Sequence, residues 1–179
     1  MAENVDSTVM FKQTYGLYIV SSTLKDSAGN EPFSAGCIIN TATQVTSNPI
    51  QITIACNNEN ETCKVIKQTG RFALSILDQT ADMVFIGRFG FRSSLDFNKF
   101  EGIETATDSL GDVYTPEHSC GVMACKVEQV IDAGTHSIFL ARVEAAKHLS
   151  SQKPLTYDYY HNVLKGKTPP KASSYSASE

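Results

Sequence analysis

The chain has 179 residues, with 15 Lys and Arg against 19 Asp and Glu, for a formal net charge of −4. That balance argues against nucleic acid as a partner, the length favours one domain with a sizeable core, and no segment is long and apolar enough to span a bilayer. Five cysteines, at 37, 56, 63, 120 and 125, form no CxxC pair. That pattern excludes the usual zinc and thioredoxin-like spacings, and its plain reading is buried free thiols in a cytoplasmic protein.

Residues 1–6 carry no basic start and no apolar run, so they do not read as a secretory signal. Residues 15–22 (YGLYIVSS) are rich in aromatic and β-branched side chains and predict a first strand. DSAGN at 26–30 is a turn signal, and 34–40 is its returning hairpin arm. The chain then breaks at 41–44 and delivers Gln44, Thr46 and Ser47 just before Asn48-Pro49. A strand follows at 50–56, with Ile50, Ile52 and Ile54 on one face and Gln51, Thr53 and Ala55 on the other. It runs into Cys56-Asn57-Asn58 and a helix at 61–69, with Asn60 as N-cap and Gly70 as the stop. A strand at 72–77 and a helix at 80–88, with Asp82 in its first turn, come next. Residues 121–131 and 136–146 read as a long hairpin turning through Asp132-Ala133-Gly134. Residues 165–179 form an extended Lys/Pro/Ser-rich tail behind a core of about 10–164. Many short strands around a few helices predict a mainly β protein, a β-barrel with appended helices.

Two polar loops thus bracket the strand at 50–56. Backbone N–H groups and side chains there can serve a planar, phosphorylated ligand without a strong positive field. Gln44, Thr46 and Ser47 are equally readable as a turn whose hydroxyls cap local backbone. The helix start after Asn57 and Asn58 favours a phosphate, and Thr62 adds a hydroxyl; self-capping by Asn60 is the simpler alternative. In Phe89-Gly90-Phe91-Arg92-Ser93, Gly90 allows close backbone approach and Arg92 and Ser93 offer donors, with Lys99 nearby. The same loop also reads as an ion-paired surface. His136 begins a strand, where an imidazole can move a proton or simply bond a turn carbonyl. The ring-rich run at 155–161 (LTYDYYH) suits a pocket wall, an interface or packing of the C-terminal arm.

Several segments carry a resemblance, in order: 36–62, GRFALSIL at 70–77, FGFRS at 89–93, KF at 99–100, CKV at 125–127, DAGTH at 132–136, PLTY at 154–157 and YYH at 159–161. Together, from about 15 to about 175, the chain resembles the flavin reductase-like family, nearest the flavoredoxins and the flavin half of high-molecular-weight rubredoxins. The resemblance implies an FMN-binding, Greek-key split barrel that forms a homodimer. It further implies noncovalent FMN held by Gln44, Val45, Thr46, Ser47, Ala55, Cys56, Asn57, Asn58, Thr62, Phe89, Gly90, Arg92, Ser93 and Lys99. His136 would stand near the nicotinamide or the reactive flavin edge. The activity implied is that of an NAD(P)H-dependent flavin oxidoreductase passing electrons to a separate acceptor, such as a rubredoxin or free flavin. The alternative is an FMN electron carrier that never meets nicotinamide. No membrane or metal is implied. The chain departs from the family at Asn58, where a lysine is common, at Cys63 for histidine, at Ser94-Leu95 for Gly-Arg, and at Thr135 for aspartate.

Overall fold

The computed structural model describes residues 6–25, 31–170, 172 and 175. The turn expected at 26–30 and the end of the predicted tail lie outside the described residues. A short 3-10 helix, Ser7–Lys12, precedes the first strand, β1 (Tyr18–Leu24). β2 (Phe33–Ile39) pairs back on it, Tyr18 opposite Ile39 through Leu24 opposite Phe33. β3 (Ala42–Ser47) and β4 (Ile50–Asn57) form a second hairpin through a cis Asn48-Pro49. Helix α1 (Glu61–Thr69) leads to β5 (Arg71–Leu77), and α2 (Met83–Gly90) follows. Two short strands, β6 (Ala106–Thr107) and β7 (Val113–Tyr114), pair with each other. The long hairpin β8 (Ser119–Asp132) and β9 (His136–His148) comes next, then α3 (Tyr157–Asn162).

Two expectations are corrected. The chain does not break into a loop at 41–44: Ala42 to Ser47 is an edge strand, because its groups find partners on β4, with a bulge between Gln44 and Thr46. The second helix starts at Met83, not at 80. Asp82 lies outside it as N-cap, its carboxylate accepting from Phe85 N at 2.8 Å, while Asp78 Oδ1 accepts from Thr80 N at 2.9 Å and so turns the chain before the helix. Helix α1 has the predicted ends: Asn60 Oδ1 accepts from Thr62 N at 3.1 Å, and Gly70 takes the left-handed conformation at φ 67° and returns its N–H to Ile66 O.

The seven main strands form one antiparallel sheet in the order β2-β1-β5-β8-β9-β4-β3. The sheet curls, because side chains from both halves meet in one core: Val20 of β1, Cys37 and Ile39 of β2, Ile52, Ile54 and Cys56 of β4, Phe72 and Leu74 of β5, and Phe139 of β9. Burying each large apolar side chain of this set contributes roughly 1.5–3 kcal/mol. Helix α1 adds Cys63 and Ile66 to that core. Among the described residues no ladder joins β2 to β4; they meet through side chains, with Cys37 Sγ 3.8 Å from Cys56 Sγ. The barrel is therefore split along this seam. Bulges in the β8–β9 ladder at Ala124/Cys125 and Val127/Gln129 carry the hairpin from the core outward. A second cluster outside the barrel packs α2 and α3 on Leu17 and Ile19 through Phe85, Ile86, Phe89, Leu155 and Tyr160. There Gly36 lets α2 approach β2: a Cβ on it would stand 3.1 Å from Phe100 and 3.3 Å from Phe89.

Candidate functional site

The seam, the α1 start, the α2 end and the C-terminal arm enclose a cavity of about 400 Å³. That size lies within the range of small-molecule sites. Its β4 side is built by the end of the strand: Ala55, Cys56 and Asn57 all line it, and Cys37 lines it from β2. Asn57 Oδ1 accepts from Glu59 N at 2.9 Å, which forms the tight turn into α1. Glu59, Asn60 and Glu61 also line the cavity, so the start of α1 brings two carboxylates to it.

Asn58 faces away from the cavity. Its amide donates to Gly134 O at 2.7 Å, and its Oδ1 accepts from Ser137 Oγ at 2.6 Å and Lys67 Nζ at 3.1 Å. It buckles the β4–α1 turn to the β8–β9 hairpin, and Lys67 brings a cation to it from α1. Thr62 is fully buried, with no hydrogen bond to its hydroxyl among the described residues, and does not line the cavity.

On the α2 side, Gly90, Phe91, Arg92, Ser93 and Ser94 line the cavity. The Arg92 guanidinium lies 4.3 Å from the centre of the Phe97 ring, a cation–π contact that holds it beside the cavity. It makes no ion pair among the described residues. Phe89 is buried in the α2 cluster and serves through its backbone. Lys99 is 2% exposed and off the cavity. Its ammonium donates to Gly36 O at 2.7 Å and Phe89 O at 2.9 Å, tying β2 to the C-terminal end of α2, where a cation is favoured. Burial holds its pKa below the ordinary lysine value. Ser94 Oγ bonds the Gly36 N–H at 3.3 Å, so the loop is clamped to β2 at one residue from two sides.

His136 lines the cavity from the first position of β9, opposite Asn57 in the ladder. Its Nδ1 lies 2.9 Å from Thr135 Oγ1. Gln44, Val45, Thr46 and Ser47 lie outside the cavity lining, on the sheet edge. Thr46 Oγ1 donates to Pro49 O at 2.6 Å and Gln44 Nε2 to Thr46 O at 3.1 Å, while Val45 is half exposed. These groups serve their own hairpin.

The C-terminal arm closes the outer side. Tyr157 and Tyr160 line the cavity and stack on each other with ring centres 5.6 Å apart. The arm returns over them: Tyr160 OH donates to Lys167 O at 2.9 Å, and Pro169 and Ala172 reach the cavity. Gly166 passes so close that a Cβ there would stand 2.1 Å from the Tyr160 ring.

Three thiols gather beside the seam. A hydrogen bond from Cys56, the nearby Lys67 charge and a bond from Ser137 bring Cys63 down to about 7 against its burial. Cys56 is pushed well up by the same thiol contacts and burial, and burial likewise pushes Cys125 up. Cys37, Asn40, Glu59 and Glu61 are lining residues that sequence reasoning did not single out. Only the alternation placing Cys37 on the face of Ile39 pointed inward.

Residues 10–163 match the model of the flavin reductase like domain. The chain belongs to that family. It is an oxidoreductase of the flavin reductase type, a flavoprotein. A ferric-chelate reductase (NAD(P)H) of Archaeoglobus fulgidus is 41% identical over 171 residues, covering 96% of this chain and 98% of that protein. A high molecular weight rubredoxin of Moorella thermoacetica is 34% identical over 96% of this chain and 72% of its own length. The crystal structure of nitrilotriacetate monooxygenase component B from Mycobacterium thermoresistibile shares the fold, with a TM-score of 0.71 at 22% identity, over 84% of this chain and 79% of that one. The flavin reductase cavity suits the family's cofactor on its own chemistry. Leu17, Ile39 and Ile86 offer apolar walls for a flat ring, and Asn57, Arg92 and Ser93 offer donors for a polar, anionic tail.

Proposed function

We propose that the chain binds FMN noncovalently in this cavity, oxidises NAD(P)H and hands the electrons to a separate acceptor, such as a rubredoxin or free flavin. The observation that carries the reading is the joint presence of Arg92, Ser93, Asn57 and His136 around one apolar cavity of mononucleotide size. FMN, when bound, supplies the hydride and electron chemistry. Arg92, held in place by Phe97, binds the phosphate by charge-assisted hydrogen bonds, with Ser93 as a further donor. Gly90, Ala55 and Cys56 let backbone approach the ring. Asn58, Thr62, Phe89 and Lys99 act from behind: they fix the turn, the helix start and the loop that carry the donors. His136, with Nδ1 held by Thr135, orients the nicotinamide or exchanges a proton at its Nε2. Tyr157, Tyr160 and the arm exclude water from that exchange.

The protein works as a homodimer in the cytoplasm. Val45, Ile50, Val130 and Ile131, all 43% to 53% exposed on the β3–β4 and β8–β9 hairpins, supply an apolar surface for the second copy. Five free cysteines suit a reducing compartment.

Anaerobic mixing of the FMN-loaded protein with NADH or NADPH tests the reading. Bleaching of the flavin is expected, slowed in His136→Ala with FMN affinity nearly unchanged. A flavin that is bound but not bleached by either nucleotide would leave an electron carrier that does not react with nicotinamide.

A further inference from the structure

The seam thiols have no part in the function above. Cys37 comes from β2 and Cys56 from β4, the two strands that face each other without a ladder. Their sulfurs stand 3.8 Å apart, and both line the cavity. They are 2% and 1% exposed, so bulk oxidants are shut out and only a cavity occupant meets them. Among the described residues no ladder spans the seam, so the strands can draw together without breaking one.

We propose that Cys37 and Cys56 form a dithiol–disulfide couple that exchanges an electron pair with flavin bound in the same cavity. The proposal rests on the flavin reading. Both S–H bonds break and one S–S bond forms. The electron pair and one proton reduce the oxidised flavin to its anionic hydroquinone, and the second proton leaves to solvent. The reverse step opens the disulfide at the expense of reduced flavin. The couple gives each chain a second two-electron store beside the flavin, and its closed form stitches the split seam. Cys63, bonded to Cys56 from α1 but off the cavity lining, accepts a hydrogen bond from the Cys56 thiol and does not enter the bridge.

The test uses pre-reduced protein loaded with FMN, kept anaerobic and dark, without nicotinamide. It is quenched in acid, unfolded and labelled with N-ethylmaleimide. Labelled thiols should fall from five to three, with a peptide cross-link between Cys37 and Cys56. About one equivalent of flavin should bleach per chain as the bridge forms. Cys37→Ser should abolish both changes; Cys120→Ser, remote from the seam, should keep both. Peptide mapping of the unsubstituted chain decides the matter even where a variant folds poorly. Five labelled thiols with flavin bound and unbleached would overturn the proposal, as would a bridge between Cys56 and Cys63. A chain that shows no bound-flavin absorbance overturns the functional reading and the exchange with it. Diamide added to that same chain would then report whether the pair closes at all.

Discussion

The two ends of β4 look alike in sequence and behave differently in space. At its N-terminal end, Gln44, Thr46 and Ser47 sit on an edge strand, and Thr46 and Gln44 spend their donors on Pro49 and on Thr46 itself. At its C-terminal end, Asn57 turns the chain into α1 and its neighbours Ala55 and Cys56 face a cavity. Both stretches are rich in hydroxyls and amides. What separates them is who answers those groups: a hairpin can satisfy its own, whereas a strand end abutting a helix and a second loop leaves some directed at shared space. Polarity marks a possible site; the arrangement of partners decides it.

The largest test of that contrast is Lys99→Met. It should lower the unfolding free energy by about 2–4 kcal/mol in denaturant titrations, because the carbonyls of Gly36 and Phe89 lose their donor in a dry setting. A near-neutral result would mean that the loop behind the cavity needs no clamp. Next, Arg92→Ala should weaken FMN binding by roughly 1.5–3 kcal/mol, or about 10- to 150-fold, through loss of a charge-assisted contact. Flavin titration of the apoprotein reads this directly, and unchanged affinity would return the α2 loop to plain surface.

The thiol carried by α1 gives a pH signature. Cys63 is held at about 7 in the folded chain, below the ordinary thiol value of about 8.5. Between those values the unfolded chain binds more protons, so stability should rise with pH from about 7 and level off above the ordinary value. Unfolding titrations should show that rise in the native chain and lose it in Cys63→Ser. Thiolate absorbance with a midpoint near neutrality is the independent check. The smallest effect belongs to the other end of β4. Thr46→Val should cost about 0.5–1.5 kcal/mol, and the cost should appear in unfolding rather than in FMN affinity, since the hydroxyl serves Pro49. The opposite split would move Thr46 onto the flavin and erase the contrast.

Local chemistry explains which parts were legible. Asn60 and Gly70 announce both ends of α1 because cap and stop act within a few residues. The turn at Asp132 to Gly134 was equally readable, with Asp132 Oδ1 receiving Gly134 N at 2.9 Å. β3 was not, because Thr-rich alternation becomes a strand only against the partner that β4 supplies. In the site, Asn57, Gly90, Arg92, Ser93 and His136 were placed by their neighbours in sequence and do line one cavity. Lys99 looked like a free charge near a ligand. Its burial depends on how α2 lies on β2, which no window of sequence contains. Cys37 and Cys56 are 19 residues apart, and their contact exists only because the sheet curls.

Gly166 sits in a stretch without helix or strand, the kind of place where insertions and substitutions are ordinarily absorbed. With the Tyr160 ring already where a methyl would go, it should tolerate change as poorly as a core position. Even alanine would have to lift the arm or displace the ring, and Pro169 and Ala172 would leave the cavity with it. In a library of random variants, an irregular coil would then show a single intolerant point, lying over the mouth of the site.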